Sequence, residues 1–136
     1  VDKNRVTPAI VNSLKENEIF VFGSNVAGNH NGGAAGYAKN HFGAIDGQAE
    51  GLQGQSYAIP TDGVSEKELY QAICRFCDFA SSHSDLTFYV TAIGCGNAGF
   101  SPYTVAPMFR DAVKLKNVKL PIEFWDFLTM DDSFVF

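Results

Sequence analysis

Two glycine-rich loops, each fed by an apolar run of strand length and each followed by a helical pattern, constrain this chain most. The first spans 22–36, Phe22-Gly23-Ser24-Asn25-Val26-Ala27-Gly28-Asn29-His30-Asn31-Gly32-Gly33-Ala34-Ala35-Gly36, after Ile19-Phe20-Val21-Phe22. The second spans 93–102, Ile93-Gly94-Cys95-Gly96-Asn97-Ala98-Gly99-Phe100-Ser101-Pro102, after a run that begins at Leu86. Glycine lets a backbone take positive φ and lets a ligand come close. A strand, a glycine loop and a helix N-terminus together aim N–H donors at an anion. Two such loops in one small chain predict a jaw that grips a phosphate-bearing ligand from both sides.

The 136 residues fit one domain over 1–136. No apolar run approaches the ~18 residues that suggest a membrane helix, so no membrane partner is expected. The start, Val1-Asp2-Lys3-Asn4-Arg5, lacks an initiator Met and the shape of a signal peptide, and a few residues are expected to precede it. A net charge of −5 argues against a general nucleic-acid coat, which needs a basic face. It leaves room for a nucleotide, because distant surface charges are screened beyond ~8 Å at physiological salt. Three cysteines, Cys74, Cys77 and Cys95, with no secretion signal suggest reduced thiols and a cytoplasmic location. Cys74-x-x-Cys77 lies in a helical pattern with no second ligand pair. Small buried side chains are the favoured reading, and no metal or cofactor is expected.

Thr7-Pro8 reads as an N-cap and first helical residue, with Ala9, Ile10, Val11 and Leu14 facing inward. A helix is predicted over Ala34–Phe42 with Gly43 as its stop, then a loop through glycines 43, 47, 51 and 54 with a short edge strand. Ser56-Tyr57-Ala58-Ile59 is a strand, and Pro60-Thr61-Asp62-Gly63 a turn. Ser65-Glu66-Lys67-Glu68 is a capping box opening a helix that ends near Ser81-Ser82. Leu86–Ile93 is the clearest strand. Ser101-Pro102 opens a helix with Val105, Ala106, Phe109 and Val113 inward. A short strand over 117–120 and a helical turn over 121–128 follow. The aromatic tail, Phe124-Trp125-Asp126-Phe127-Leu128 and Phe134-Val135-Phe136, caps the core, walls a base pocket or forms a self-association patch, the first being favoured. Alternating strands and helices favour a mainly parallel sheet covered on both faces, with ligands beyond the carboxyl ends of the strands.

Ile93-Gly94-Cys95-Gly96-Asn97-Ala98-Gly99-Phe100 resembles the second phosphate loop of macrodomains, the ADP-ribose-binding modules. Its Gly-Cys-Gly-Asn form is similar to the branch that contains DNA ADP-ribosyl glycohydrolase antitoxins, where the middle strand ends in a Pro-Thr pair, as Pro60-Thr61 does here. Gly23-Ser24-Asn25 and Gly32-Gly33-Ala34-Ala35 are similar to the macrodomain Asn-Ala-Ala-Asn segment and its glycine run. From Val6 through Phe124-Trp125, and most closely over 51–61, the chain resembles a small macro-like family of phages and bacteria.

The resemblance implies a three-layer α/β/α fold with a mixed, mainly parallel sheet. It implies binding of ADP-ribose or a related nucleotide diphosphate. Gly23, Ser24 and Asn25 would line the ligand site, with Asn25, which matches the second Asn of the segment, meeting the distal ribose. Gly32, Gly33 and Ala34 would lie near that ribose and the diphosphate. Gly94, Cys95, Gly96, Asn97, Ala98, Gly99 and Phe100 would cradle the diphosphate, with Phe100 near the distal ribose. The chain departs from the pattern where macrodomains carry an Asp for the adenine amino group, the nearest residues here being Asn4 and Arg5. It also has Ala34-Ala35 where some hydrolytic members place an acid, and only Lys39 near where the glycohydrolase branch places a Lys. Weak base discrimination and a binding module are therefore favoured. The alternatives are an ADP-ribosyl hydrolase or phosphohydrolase, and a phage or bacterial accessory protein with a vestigial pocket.

Residue by residue, Asn25 reads as a ribose ligand or as a turn Asn with left-handed φ. His30 is a general acid–base candidate or a solvated loop histidine. His41 and His83 read as a helix-end and a surface histidine. Asp62 is the best-placed acid beyond a strand end, or simply a turn residue. Glu50, among Gln48, Gln53 and Gln55, belongs to a segment that closes over a ligand or bonds to itself. Cys95 is a nucleophile activated at a helix N-terminus, or a small residue packed under the loop, which is favoured.

Overall fold

A computed structural model describes residues 1–132, with side chains through Thr129. The chain is α/β. Five strands, β1 (Glu18–Asn25), β2 (Gly51–Gln53), β3 (Ser56–Asp62), β4 (Thr87–Val90) and β5 (Val118–Lys119), form one sheet in the order β2-β3-β1-β4-β5. All neighbours are parallel except the edge pair β2–β3. The helices are α1 (Gly33–His41), α2 (Glu66–Ser81), the one-turn α3 (Pro102–Val105), and α4 (Ile122–Asp132). A 3-10 segment, Ala106–Lys114, follows α3 and breaks at Phe109.

Strand alternation divides the core. Ile19 and Val21 of β1 join a large cluster with Ile59, Leu69, Phe76, Phe88, Phe109 and Phe124, whereas Phe20 and Phe22 join a smaller one with Ala35, Ala38, Phe42 and Ala58. Because successive side chains point to opposite faces, β1 is apolar at every position from 19 to 22. It lies at the centre of the sheet, and such unbroken runs mark strands buried on both sides. The capping box forms as predicted: Ser65 Oγ accepts from the Glu68 amide, and the Glu68 carboxylate accepts from the Ser65 amide.

Five expectations change. Residues 7–17 form no helix. The Val6–Leu120 bridge and the Thr7 amide on the Leu120 carbonyl at 2.9 Å anchor the start of the segment beyond β5, and the Tyr37 hydroxyl on the Asn12 carbonyl and the Gln55 side chain on the Lys15 carbonyl hold its later part across the sheet. Val6 packs on the large cluster while Val11 and Leu14 pack on the small one. Extended chain covers about twice the distance per residue that a helix does and so reaches both. Pro60-Thr61 continues β3 rather than turning, because β2 stops opposite Ala58 and leaves Pro60 no ladder partner to lose on that side. The helix opened by Ser101-Pro102 is interrupted after one turn, where Pro107 has no N–H to give. β4 is shorter than 86–93, since the Thr91 amide and hydroxyl both donate to the Val21 carbonyl and the chain then turns away. The terminal helical turn is a full helix whose Phe124, Trp125 and Leu128 complete the large cluster. Residues 134–136 of the aromatic tail lie outside the described residues.

Phe76 is fully buried and meets Tyr57, Phe88 and Phe109 edge-on. Phe76→Ala is expected to cost about 3–5 kcal/mol of folding stability, read from chemical denaturation.

Candidate functional site

The parallel strands β3, β1 and β4 end side by side, and a cleft of about 450 Å³ opens over their carboxyl ends. This volume suits a small ligand. Gly23, Ser24 and Asn25 of β1 floor it, flanked by Thr61 and Asp62 of β3 and Thr91–Gly94 after β4. Gly32–Ala35, at the start of α1, form one wall and Gly96, Asn97 and Ala98 the other. Both glycine loops therefore meet at one cleft.

The strand ends are held in register by side chains. Thr61 Oγ1 donates to the Ser24 carbonyl at 3.1 Å, and Thr91 Oγ1 to the Val21 carbonyl at 2.8 Å. A Cβ on Gly23 would lie 2.9 Å from Thr61 Oγ1 and 3.5 Å from the Gly94 amide, so the three strand ends approach closely only because residue 23 has no side chain. The ladder slips between Ser24 and Asn25, which pairs Asn25 with Asp62 instead of Thr61. A bulge of this kind re-aims side chains at a strand end.

The two loops leave backbone donors uncommitted. In the second loop the amides of Ile93, Cys95, Gly99 and Phe100 close the loop on itself. Those of Gly94, Gly96, Asn97 and Ala98 are not used in this way, and these four residues line the cleft. Gly32 caps α1 without a side-chain hydrogen bond. The first-turn amides of a helix have no intrahelical acceptor and carry the positive end of its dipole. Here those amides belong to cleft-lining residues. Among the described residues no Lys, Arg or His lines the cleft, so its attraction for anions rests on the backbone. Among the same residues, Asp62 is the one ionisable side chain that lines it.

The predicted site residues divide. Gly23, Ser24, Asn25, Gly32, Gly33, Ala34, Gly94, Gly96, Asn97 and Ala98 line the cleft; Cys95, Gly99 and Phe100 do not. Phe100 packs instead beneath Gly94, whose φ of +75° favours glycine. Cys95 Sγ lies 3.4 Å from the Ile93 carbonyl and packs on the large cluster. Burial and then the Glu123 carboxylate push its thiol pKa up, which opposes activation as a nucleophile.

Asn25 has negative φ, and its side chain closes a ring with the Asn29 backbone, donating to its carbonyl and accepting from its amide, both at 3.0 Å. One donor and one acceptor of that side chain are thus committed to loop shape.

His30 is neither solvated nor at the cleft. It is 1% exposed, edge-on to Phe22. Its Nε2–H faces two acceptors, the Gln48 carbonyl at 3.2 Å and Gln53 Oε1 at 3.1 Å. Nδ1 has no partner among the described residues. It bolts the first loop to residues 45–53. Glu50 makes a two-pronged pair with Arg75 of α2, at 2.7 and 2.9 Å, away from the cleft. Gln48 and Gln53 bond to the segment's own backbone, so 43–55 bonds to itself. Lys39 pairs with Asp46 on the outer side of α1. Arg5 donates to the carbonyls of Ala112, Val113 and Val118 and stacks on Trp125. His83 Nδ1 lies 2.7 Å from the Phe79 carbonyl at the end of α2, and its ring stacks on Phe79.

Sequence reasoning missed Thr61 and Thr91 as strand-end ties, and Asn29 and Asn31 as lining residues. It also missed a second cavity of about 720 Å³, lined by Val6, Thr7, Pro8, Pro121, Ile122 and Glu123 among others. Thr91 and Ala92 line both cavities. None of Phe124–Leu128 of the aromatic tail lines this cavity; the residues just before them, Pro121, Ile122 and Glu123, do.

Comparison with family models, with curated proteins and with solved structures gave no significant match. Among the described residues, no helix is long and apolar enough to cross a membrane. No group of three or more His, Cys, Asp or Glu side chains among them is placed to hold a metal.

A Cβ at Gly96 meets nothing within 4 Å, whereas Gly94 combines positive φ with Phe100 at 3.3 Å. Gly96→Ala is expected to leave stability within about 0.5 kcal/mol. Gly94→Ala should cost about 1–2 kcal/mol from the left-handed backbone alone. Thermal unfolding of the two variants side by side checks the loop geometry.

Proposed function

We propose that the cleft binds ADP-ribose or a related nucleotide diphosphate, with the diphosphate held between the second glycine loop and the N-terminus of α1. One observation carries this reading: residues of both loops whose amides have no acceptor among the described residues line one cleft, and no cationic side chain among those residues lines it. Fixed N–H groups and a helix dipole recognise an oxyanion without a lysine or arginine. The resemblance of the two loops to macrodomain loops points the same way. So does the distribution of helices over both sheet faces, which supports an α/β/α layering like that of macrodomains.

The second cavity is the natural place for the base, since it shares Thr91 and Ala92 with the cleft and its lining is largely apolar. Neither Asn4 nor Arg5 lines it, and Arg5 is committed to the backbone. The charged side chains that do line it are those of Lys3 and Glu123. The resemblance places no acid of this chain where macrodomains read adenine, so weak discrimination is expected and ADP-ribose analogues with other bases should compete within about tenfold of one another; a strong preference for adenine would assign its reading to Glu123.

Binding is favoured over hydrolysis. Of the three catalytic candidates, only Asp62 lines the cleft, and no His, Lys or Cys stands beside it there to orient or share a proton. Turnover of ADP-ribosylated protein or DNA is expected to be slow or absent.

Gly96→Glu places a carboxylate where the diphosphate would lie while leaving the fold intact. Calorimetric titration with ADP-ribose should give measurable heat for the unaltered protein and none for this variant. Equal affinity in a folded Gly96→Glu protein would overturn the two-loop reading.

A further inference from the structure

Asp62 is out of place in a cleft built to attract anions. It stands at the carboxyl end of β3, opposite Asn25 across the bulge, and its carboxylate has no hydrogen bond or ion pair among the described residues. Its backbone is fixed. The Val26 amide donates to the Asp62 carbonyl at 3.2 Å, and Gly63, at φ +84°, turns the chain tightly against Val26. A carboxylate beside a bound diphosphate opposes binding unless it meets something that donates to it.

Among the described residues the other side-chain oxygens lining the cleft, those of Asn29, Asn31 and Asn97 included, are uncharged and accept more weakly than a carboxylate. The hydroxyls of Ser24, Thr61 and Thr91 are turned onto the carbonyls of Ala49, Ser24 and Val21. The carbonyl oxygen of Asn25 is engaged by the Asn29 amide. Among the described lining residues Asp62 alone presents two charged acceptors with no partner, and a carboxylate accepts from two donors at once. Adjacent hydroxyls on a sugar ring supply that pair, in the way acidic residues take ribose hydroxyls in dinucleotide sites.

We propose that Asp62 is a specificity-determining residue that accepts hydrogen bonds from the vicinal hydroxyls of a sugar attached to the diphosphate. The ligand class is thereby a sugar-bearing diphosphate rather than an inorganic or simple alkyl one. The proposal rests on the diphosphate reading above. It adds a group that attracts the sugar and repels the phosphates.

The test uses the opposite signs of those two effects. Asp62→Asn keeps the size of the side chain, removes the charge and one acceptor, and breaks no bond within the described protein. The unaltered protein and the variant are titrated with ADP-ribose and with inorganic pyrophosphate. ADP-ribose should bind the variant about tenfold more weakly, the loss of one charged hydrogen bond. Pyrophosphate should bind it as well as before or better. Because pyrophosphate also reports an intact cradle, misfolding is separated from loss of sugar recognition. ADP-ribose affinity that is unchanged or raised in the variant overturns the assignment of Asp62 and leaves the diphosphate reading standing. Equal weakening toward both ligands does the same, as does an unaltered protein that takes pyrophosphate and not ADP-ribose. An unaltered protein that takes neither ligand overturns the diphosphate reading and this proposal with it.

Discussion

The close approach of three strand ends at Gly23 underlies the rest of the site. With no side chain at that position, Thr61 reaches the Ser24 carbonyl and the Gly94 amide comes near β1. Thr91 makes the matching tie on the other side of β1, to the Val21 carbonyl. These contacts bring the loop after β1 and the loop after β4 to one opening. The ladder slip at Ser24 then sets Asp62 opposite Asn25 at its edge. The core supplies the force, since β1 carries apolar side chains into clusters on both of its faces. The strand-end ties turn that packing into a defined cleft.

What the sequence made legible was local chemistry with a short reach. Ser65 and Glu68 sit three apart, and they cap α2 as that spacing requires. Gly43 takes positive φ and stops the chain after α1. The unbroken apolar run at 19–22 becomes the central strand, and both glycine loops follow parallel strands at the same sheet edge. Ten of the thirteen predicted ligand-binding residues come together there.

What stayed illegible depends on distant partners. His30 looks like a loop histidine until Gln48, Gln53 and Phe22 enclose it. Glu50 looks free until Arg75 of α2 arrives from 25 residues away. The apolar pattern at 9–14 reads as a helix, yet its side chains are shared between two clusters, which an extended chain serves better. Pro107 was the visible sign that the helix after Ser101 would break, since its ring has no N–H.

In the proposed complex the backbone is the recognising surface, with side chains setting its shape, and its engagement can be read amide by amide. In a ¹⁵N-labelled sample titrated with ADP-ribose, the amide resonances of Gly94, Gly96, Asn97 and Ala98 and of Gly33 and Ala34 should move most. The already bonded amides of Cys95 and Phe100 should move less. Shifts confined to residues outside both loops, or a spectrum unchanged at millimolar ADP-ribose, would contradict it.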